Sequence, residues 1–172
     1  MKIEHIWGLL RLSVGWTFLW AFLDKSFGLG FSTCRDVKTD VISTLCDAAW
    51  INGGSPTYGF LTYATKGPLK EFFGAMATSG LVEWLFMLGI LFVGVTLLFG
   101  IAVRLGSVVG IMLYVLFYVS GSIWPEHNPF LDEHIVYIII MAGFLLTRPG
   151  RTFGLGKWWE ETALVRRYPI LS

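Results

Sequence analysis

Charged residues are scarce in this sequence, and their scarcity excludes an ordinary soluble domain. Only 15% of the residues are Asp, Glu, Lys or Arg, whereas soluble domains carry about 25%. The hydrophobic share is 55%, and the mean hydropathy is +0.65. The sequence therefore predicts a one-domain integral membrane protein that has the lipid bilayer as its first partner. The formal net charge of +1 offers no basic surface, so we expect no nucleic-acid partner.

Residues that usually hold cofactors are also few. The three histidines lack H-x-x-x-H or H-E-x-x-H spacing, and no nucleotide-binding loop is present, so we expect no metal, haem or flavin. The two cysteines, Cys34 and Cys46, do not form a C-x-x-C pair, which argues against a catalytic dithiol. An oxidising exterior would favour a disulfide between them, and free thiols are the alternative.

Long apolar runs predict an all-α integral membrane fold, a bundle of four transmembrane helices. Each predicted span has about 19–23 residues, enough to cross a hydrocarbon core of about 30 Å. The predicted spans are 5–27, 81–101, 105–123 and 129–147, with an outer loop at 28–80 and a cytoplasmic tail at 148–172. Lys and Arg collect in the short flanks on the side of the termini. The positive-inside rule then predicts a multi-pass cell-membrane protein with both termini cytoplasmic.

The outer loop is long for a simple connection and is rich in aromatic residues. Leu69, Phe72, Phe73 and Met76 recur at helical spacing, which predicts a short interfacial helix. We expect the loop to form a lid over the outer mouth of the bundle. In the alternative, its apolar side chains only anchor it at the interface.

The first span carries one charge and two aromatic residues that need an explanation. Arg11 either snorkels to the interface or faces an interior carboxylate or a bound headgroup. Trp16 and Trp20 lie one helical turn apart and share a face. That face fits a membrane aromatic belt and a ligand-lined wall about equally well.

Ionisable residues gather at the predicted outer ends of the spans and in the segment 124–134. Such convergence at a membrane face indicates a functional site. A histidine beside a carboxylate can move protons for a quinone, and quinone is therefore the expected cofactor. We expect the catalytic residues to surround one polar pocket beneath the loop. Lys25 should contact an acid there, because buried charges need partners. The predicted catalytic residues are Asp24, Lys25, Glu83, Asp132 and His134, and the predicted cofactor-binding residues are Arg11, Trp16, Trp20, His127 and Tyr137.

Several blocks of this sequence resemble the DoxX/DoxD membrane proteins over nearly the whole chain. They are Arg11-Leu12, Gly15-Trp16-Thr17-Phe18, Asp24-Lys25, WINGGSPTYGF at 50–60, HNPFLDEH at 127–134 and GRTFGLG at 150–156. The resemblance implies a four-helix membrane bundle. DoxD is the membrane subunit of a thiosulfate:quinone oxidoreductase and works with a small second subunit, so the resemblance also implies a function of that kind.

The leading hypothesis is a quinone-interacting membrane subunit of an oxidoreductase. In its thiosulfate version, Lys25 and the loop cations would hold a small anionic substrate, although the acids around 124–134 oppose such a site. One alternative is a non-enzymatic accessory or structural subunit of a respiratory or other membrane complex. Another is a lipid-binding or envelope-stress protein without a redox role. The sequence contains no motif for a bound redox centre, which favours the accessory alternative.

Overall fold

The computed structural model describes residues 2–121, 123 and 130–171. Within them the chain is helical, and the only β-type pairing is an isolated bridge between Arg35 and Ile42. The helices are α1 Ile3–Phe27, α2 Lys70–Ala75, α3 Gly80–Phe99, α4 Val103–Gly121, α5 Glu133–Thr147, α6 Gly156–Glu160 and α7 Ala163–Arg167. Short 3-10 helices lie at Trp50–Asn52, Pro149–Arg151 and Pro169–Leu171, and a π-helical turn lies at Phe60–Ala64.

Three helices, α1, α3 and α4, are long and apolar enough to cross a membrane. The predicted class, a multi-pass helical membrane protein, is therefore supported. The fourth apolar helix, α5, has only 15 residues, a length of about 22 Å. It begins later than the predicted start at residue 129 because Asp132 caps it: a side-chain oxygen of Asp132 accepts the N–H of Ile135 at 3.2 Å.

Sequential long helices run antiparallel around a shared core. Tyr114 of α4 stacks on Tyr137 of α5, with ring centroids 4.9 Å apart. Met87, Val93, Leu97, Met141 and Phe144 are fully buried at the centre. We call the end of the bundle that holds Ile3, Phe99, Val103 and Thr147 the terminal end. The opposite end, where Phe27, Gly80, Gly121 and Glu133 lie, is the loop end.

Two glycines allow α1 and α3 to approach backbone to backbone. A Cβ added at Gly94 would lie 2.7 Å from the backbone nitrogen of Leu19. A Cβ added at Gly15 would lie 2.8 Å from the backbone nitrogen of Leu98. Small residues at such crossings let membrane helices gain van der Waals contact, which is the main source of attraction between helices in lipid.

Arg11 is completely buried and is bound by backbone carbonyl groups. Two of these carbonyls end α3, where the helix leaves its last oxygens without intrahelical donors, and a positive charge there also suits the helix dipole. The others belong to the segment that follows α5. Arg11 is therefore an interior residue and does not snorkel, and its partners are backbone carbonyls rather than the expected carboxylate or headgroup. The acceptors are Leu97, Leu98 at 3.0 Å, Pro149 at 3.3 Å, Thr152 at 3.1 Å and Phe153 at 2.9 Å.

The loop between α1 and α2 is closed by a covalent link. Cys34 and Cys46 form a disulfide, so the predicted disulfide is confirmed. The helix α2 lies inside the stretch for which the sequence predicts an interfacial helix. Its position relative to a membrane surface, and the role of the loop as a lid, stay predictions.

Candidate functional site

Asp24, a predicted catalytic residue, is completely buried at the loop end of α1. Its carboxylate accepts hydrogen bonds from the backbone N–H of Phe31 at 2.8 Å, the backbone N–H of Ser32 at 3.0 Å and the hydroxyl of Ser32 at 2.9 Å. Lys25 donates to the same hydroxyl at 3.4 Å, and among the described residues it forms no ion pair, contrary to expectation. Asp24 therefore holds the start of the outer loop against the end of α1.

Glu83, also predicted as catalytic, fastens the loop to α3. Its Oε1 accepts the indole N–H of Trp50 at 2.8 Å. The ring of Trp50 also meets Trp84 edge-on, with centroids 4.7 Å apart. The segment around Trp50–Asn52 is thus attached to α3 by one hydrogen bond and one aromatic contact.

We expect Trp50→Phe to loosen this attachment while leaving the bundle folded. The substitution keeps an aromatic ring but removes the donor to a carboxylate, a bond worth about 1.5–3 kcal/mol when charged. Limited proteolysis should cut faster near Asn52-Gly53, with little change in the thermal unfolding of the bundle. Trp84→Phe is the matched control because it leaves the hydrogen bond to Glu83 in place. Equal cleavage rates for wild type and Trp50→Phe would contradict the attachment.

Asp132 and His134 form a pair at the loop end of α5. The second Asp132 oxygen lies 2.7 Å from Nδ1 of His134. The imidazole lies 6.0 Å from the ring of Tyr114 and 6.0 Å from the ring of Phe117, so it faces α4. Ligand atoms of Asp132, Glu133 and His134 lie within 4.8 Å of one another. That closeness follows from three consecutive residues at one helix start, so it does not by itself define a metal site.

The five predicted catalytic residues thus fall into three local groups. Asp24 and Lys25 share Ser32, Glu83 binds Trp50, and Asp132 binds His134. In the described part of the chain, no hydrogen bond or ion pair joins one group to another. The expected single pocket beneath the loop is not what these contacts build. The reason is that donors in the loop, the N–H groups of Phe31 and Ser32 and the indole of Trp50, bind Asp24 and Glu83.

A groove opens instead between α1 and α5. Near the terminal end these helices touch, since Trp7 packs edge-on against Phe144 with ring centroids 6.1 Å apart. Beyond that contact they enclose a groove of about 370 Å³. Ligand pockets in proteins usually measure about 300–1,000 Å³. The lining residues are Leu10, Ser13, Val14 and Thr17 from α1, and Glu133, Val136, Tyr137 and Ile140 from α5.

The groove combines apolar walls with a polar loop end. Glu133 and Thr17 are exposed, and Tyr137 is half-buried between the groove and Tyr114. An apolar wall with a few polar groups at one end suits an amphipathic ligand that enters sideways from lipid. On each of the two helices, two polar lining residues lie four positions apart: Ser13 and Thr17 on α1, and Glu133 and Tyr137 on α5. This helical spacing is a signal that could have identified the groove from the sequence.

Of the four predicted cofactor-binding residues that the structure describes, only Tyr137 lines the groove. Trp16 and Trp20 stack on each other, with centroids 5.9 Å apart, and neither is among the lining residues. Arg11 is committed to carbonyl groups at the terminal end. His127 lies outside the described residues. The polar lining residues that the prediction missed are Ser13 and Thr17, and Glu133 was included only as one of the ionisable residues of the segment 124–134.

Fold and groove together define a helical, multi-pass membrane protein with a lateral opening. No protein-family model matches the chain, and no curated protein and no solved structure matches it either. The resemblance to DoxX/DoxD proteins therefore rests on the sequence blocks quoted above.

Proposed function

We propose that this chain is a DoxX/DoxD-like protein that serves as the quinone-interacting membrane subunit of an oxidoreductase. The groove between α1 and α5 carries the proposal. It has the volume of a small-ligand site, it opens to the side of the bundle, and Thr17 and Glu133 make its loop end polar. A quinone has a flat polar head and an apolar tail, so its two parts match the two parts of the groove.

Four spans with cytoplasmic termini form the topological part of this proposal. The helix α5 is short, but it runs antiparallel to α4 and returns the chain to the terminal end. His5 of α1 and Phe153 of the tail lie there with ring centroids 5.6 Å apart. Six basic residues against two acids in the tail and the α3–α4 turn support a cytoplasmic terminal end by the positive-inside rule. The basic residues are Arg104, Arg148, Arg151, Lys157, Arg166 and Arg167, and the acids are Glu160 and Glu161.

The groove residues suggest distinct tasks. The phenol of Tyr137 would donate a hydrogen bond to a head-group oxygen, and the exposed Glu133 would pass a proton to the head group as the quinone is reduced. A quinone supplies the redox chemistry, since its reduction takes up two electrons and two protons. The Asp132–His134 pair lies beside Tyr114, on which Tyr137 stacks, so it would be the next polar pair along the path from the groove.

A non-enzymatic accessory role is the second candidate, and a specific observation favours it. Arg11, Asp24 and Glu83 are all used in contacts that hold the fold together. Lys25 lies next to the buried Asp24 carboxylate, which weakens it as a site for a small anion such as thiosulfate. Under both candidates, other membrane-complex subunits would be partners, and in an oxidoreductase they would supply the electrons.

Titration with a short-chain ubiquinone analogue tests the quinone proposal. Binding should quench tryptophan fluorescence of the purified protein, and Tyr137→Phe should weaken binding about tenfold, the equivalent of one hydrogen bond of about 1.4 kcal/mol. Glu133→Gln should weaken it to a similar degree. The matched controls are Tyr63→Phe and Glu71→Gln, which change the same groups in the exposed outer loop and should bind like wild type.

Two results would overturn this proposal. One is the absence of saturable quinone binding by the wild-type protein. The other is equal affinity in wild type, Tyr137→Phe and Glu133→Gln, which would place any bound quinone elsewhere. A stoichiometric partner that co-purifies in the absence of quinone binding would establish the accessory role instead.

A further inference from the structure

The tail after α5 folds into a cap across the terminal end of the bundle. Arg151 and Glu160 form an ion pair, and the indole N–H of Trp159 donates to the carbonyl of Leu171 at 2.6 Å. Val165 of α7 is a buried residue of the cap itself. The hydrogen bond from Arg151 holds the pKa of Glu160 below its usual range, so this pair stays ionised at neutral pH. The tail is therefore a folded element with defined inner and outer faces.

The cap exposes several large apolar side chains. Five large side chains on it are each at least 50% exposed. Trp158 is one of them, while its neighbour Trp159 is turned into the cap by its hydrogen bond to Leu171. The five are Phe153, Leu155, Trp158, Leu164 and Ile170.

Exposed cations lie among these apolar side chains. Lys157, Arg166 and Arg167 form no ion pair with any described residue. Glu160 is already paired with Arg151, so within this segment only Glu161 remains to offset them. We call these three cations, with the five apolar side chains, the tail surface. Its chemistry is that of an interfacial element with apolar groups for the acyl boundary and cations for phosphate.

We propose that the tail surface binds anionic phospholipid headgroups of the leaflet at the terminal end of the bundle. Its position favours lipid over a soluble partner. Phe153 lies beside His5 at the start of α1, so the surface is level with the end of a membrane-crossing helix. Headgroups occupy that level in a bilayer. The uncompensated positive charge selects anionic headgroups over neutral ones.

Thermal unfolding and native mass spectrometry of the full chain in a neutral detergent test this proposal. Added phosphatidylglycerol should raise the melting temperature and stay bound, whereas phosphatidylcholine should do neither. Arg166→Gln/Arg167→Gln should weaken phosphatidylglycerol binding roughly 25-fold, because each cation at an anionic surface contributes about 1 kcal/mol. Lys38→Gln/Lys70→Gln removes the same charge from the outer loop and should bind like wild type. Arg166→Lys/Arg167→Lys should also retain binding.

Salt provides a test that needs no substitution. Raising ionic strength should weaken the preference of the wild-type protein for phosphatidylglycerol, because exposed charges are screened. Three outcomes would overturn the proposal: equal stabilisation by both lipids, unchanged binding by the glutamine double variant, and equal stabilisation by free glycerol phosphate. The last outcome would indicate a soluble phosphate site.

Discussion

Replacing Arg11 by lysine should lower the unfolding free energy of the protein by about 3–5 kcal/mol, the cost of breaking a buried charged network. Arg11 has five N–H donors in a planar fork and binds five carbonyl groups from α3 and the segment after α5. A lysine has three donors on one nitrogen and cannot reach both segments. The bonds to Leu97 and Pro149 are buried, and a buried carbonyl left without a donor costs about 1–3 kcal/mol.

Thermal or dodecyl-sulfate unfolding of purified Arg11→Lys measures this loss. Arg166→Lys is the matched control, since Arg166 is exposed and makes no ion pair with a described residue; it should unfold like wild type. We also expect the tail to become more sensitive to proteases in Arg11→Lys, because Arg11 binds Thr152 and Phe153. If the Arg11→Lys protein unfolded at the same temperature or dodecyl-sulfate concentration as wild type, the structural role of Arg11 would be contradicted.

Gly94→Ala should destabilise the bundle by about 2–3 kcal/mol, at the upper end of the cost of overpacking. The added methyl group would meet the backbone of Leu19 rather than a movable side chain, so α1 and α3 would have to separate. The helices would then lose contact along their whole crossing. The expected sign is opposite to that of an ordinary Gly→Ala change in a helix, which stabilises by about 0.5–1 kcal/mol.

Gly89→Ala is the control on the same helix. A Cβ at Gly89 would meet the side chain of Leu113 at 3.5 Å, an ordinary van der Waals distance. We therefore expect this variant to be as stable as wild type or slightly more stable. If both alanine variants changed unfolding equally, the close approach of α1 and α3 would not be the cause.

The limits of sequence reasoning are clear from particular residues. The apolar runs predicted α1, α3 and α4 to within about two residues at each end, because a membrane-crossing helix must be apolar along its length. The disulfide followed from the presence of just two cysteines in one loop. Arg11 could not be interpreted in the same way. Its partners are carbonyl groups as far away as residue 153, and every residue has a carbonyl, so no side-chain pattern marks them.

The residues of the predicted polar pocket are not joined by direct contacts in the described part of the chain, for a related reason. Asp24, Glu83 and Asp132 lie near one end of the bundle, as their positions in the spans imply. Local donors bind each carboxylate: the N–H groups of residues 31 and 32, the indole of Trp50 and the start of α5. The position of each carboxylate along its helix could be predicted from the sequence, but the choice among nearby donors depends on the path of the loop.

The opening between α1 and α5 makes the bilayer the reservoir for any ligand of the groove. A lipid-soluble molecule would reach it by diffusing in two dimensions, without crossing the disulfide-linked loop. Its effective concentration is then its mole fraction among lipids, not its molarity in water. An apparent dissociation constant measured in detergent would accordingly scale with the amount of micelle present, and affinities from different preparations become comparable only when expressed per lipid or detergent molecule.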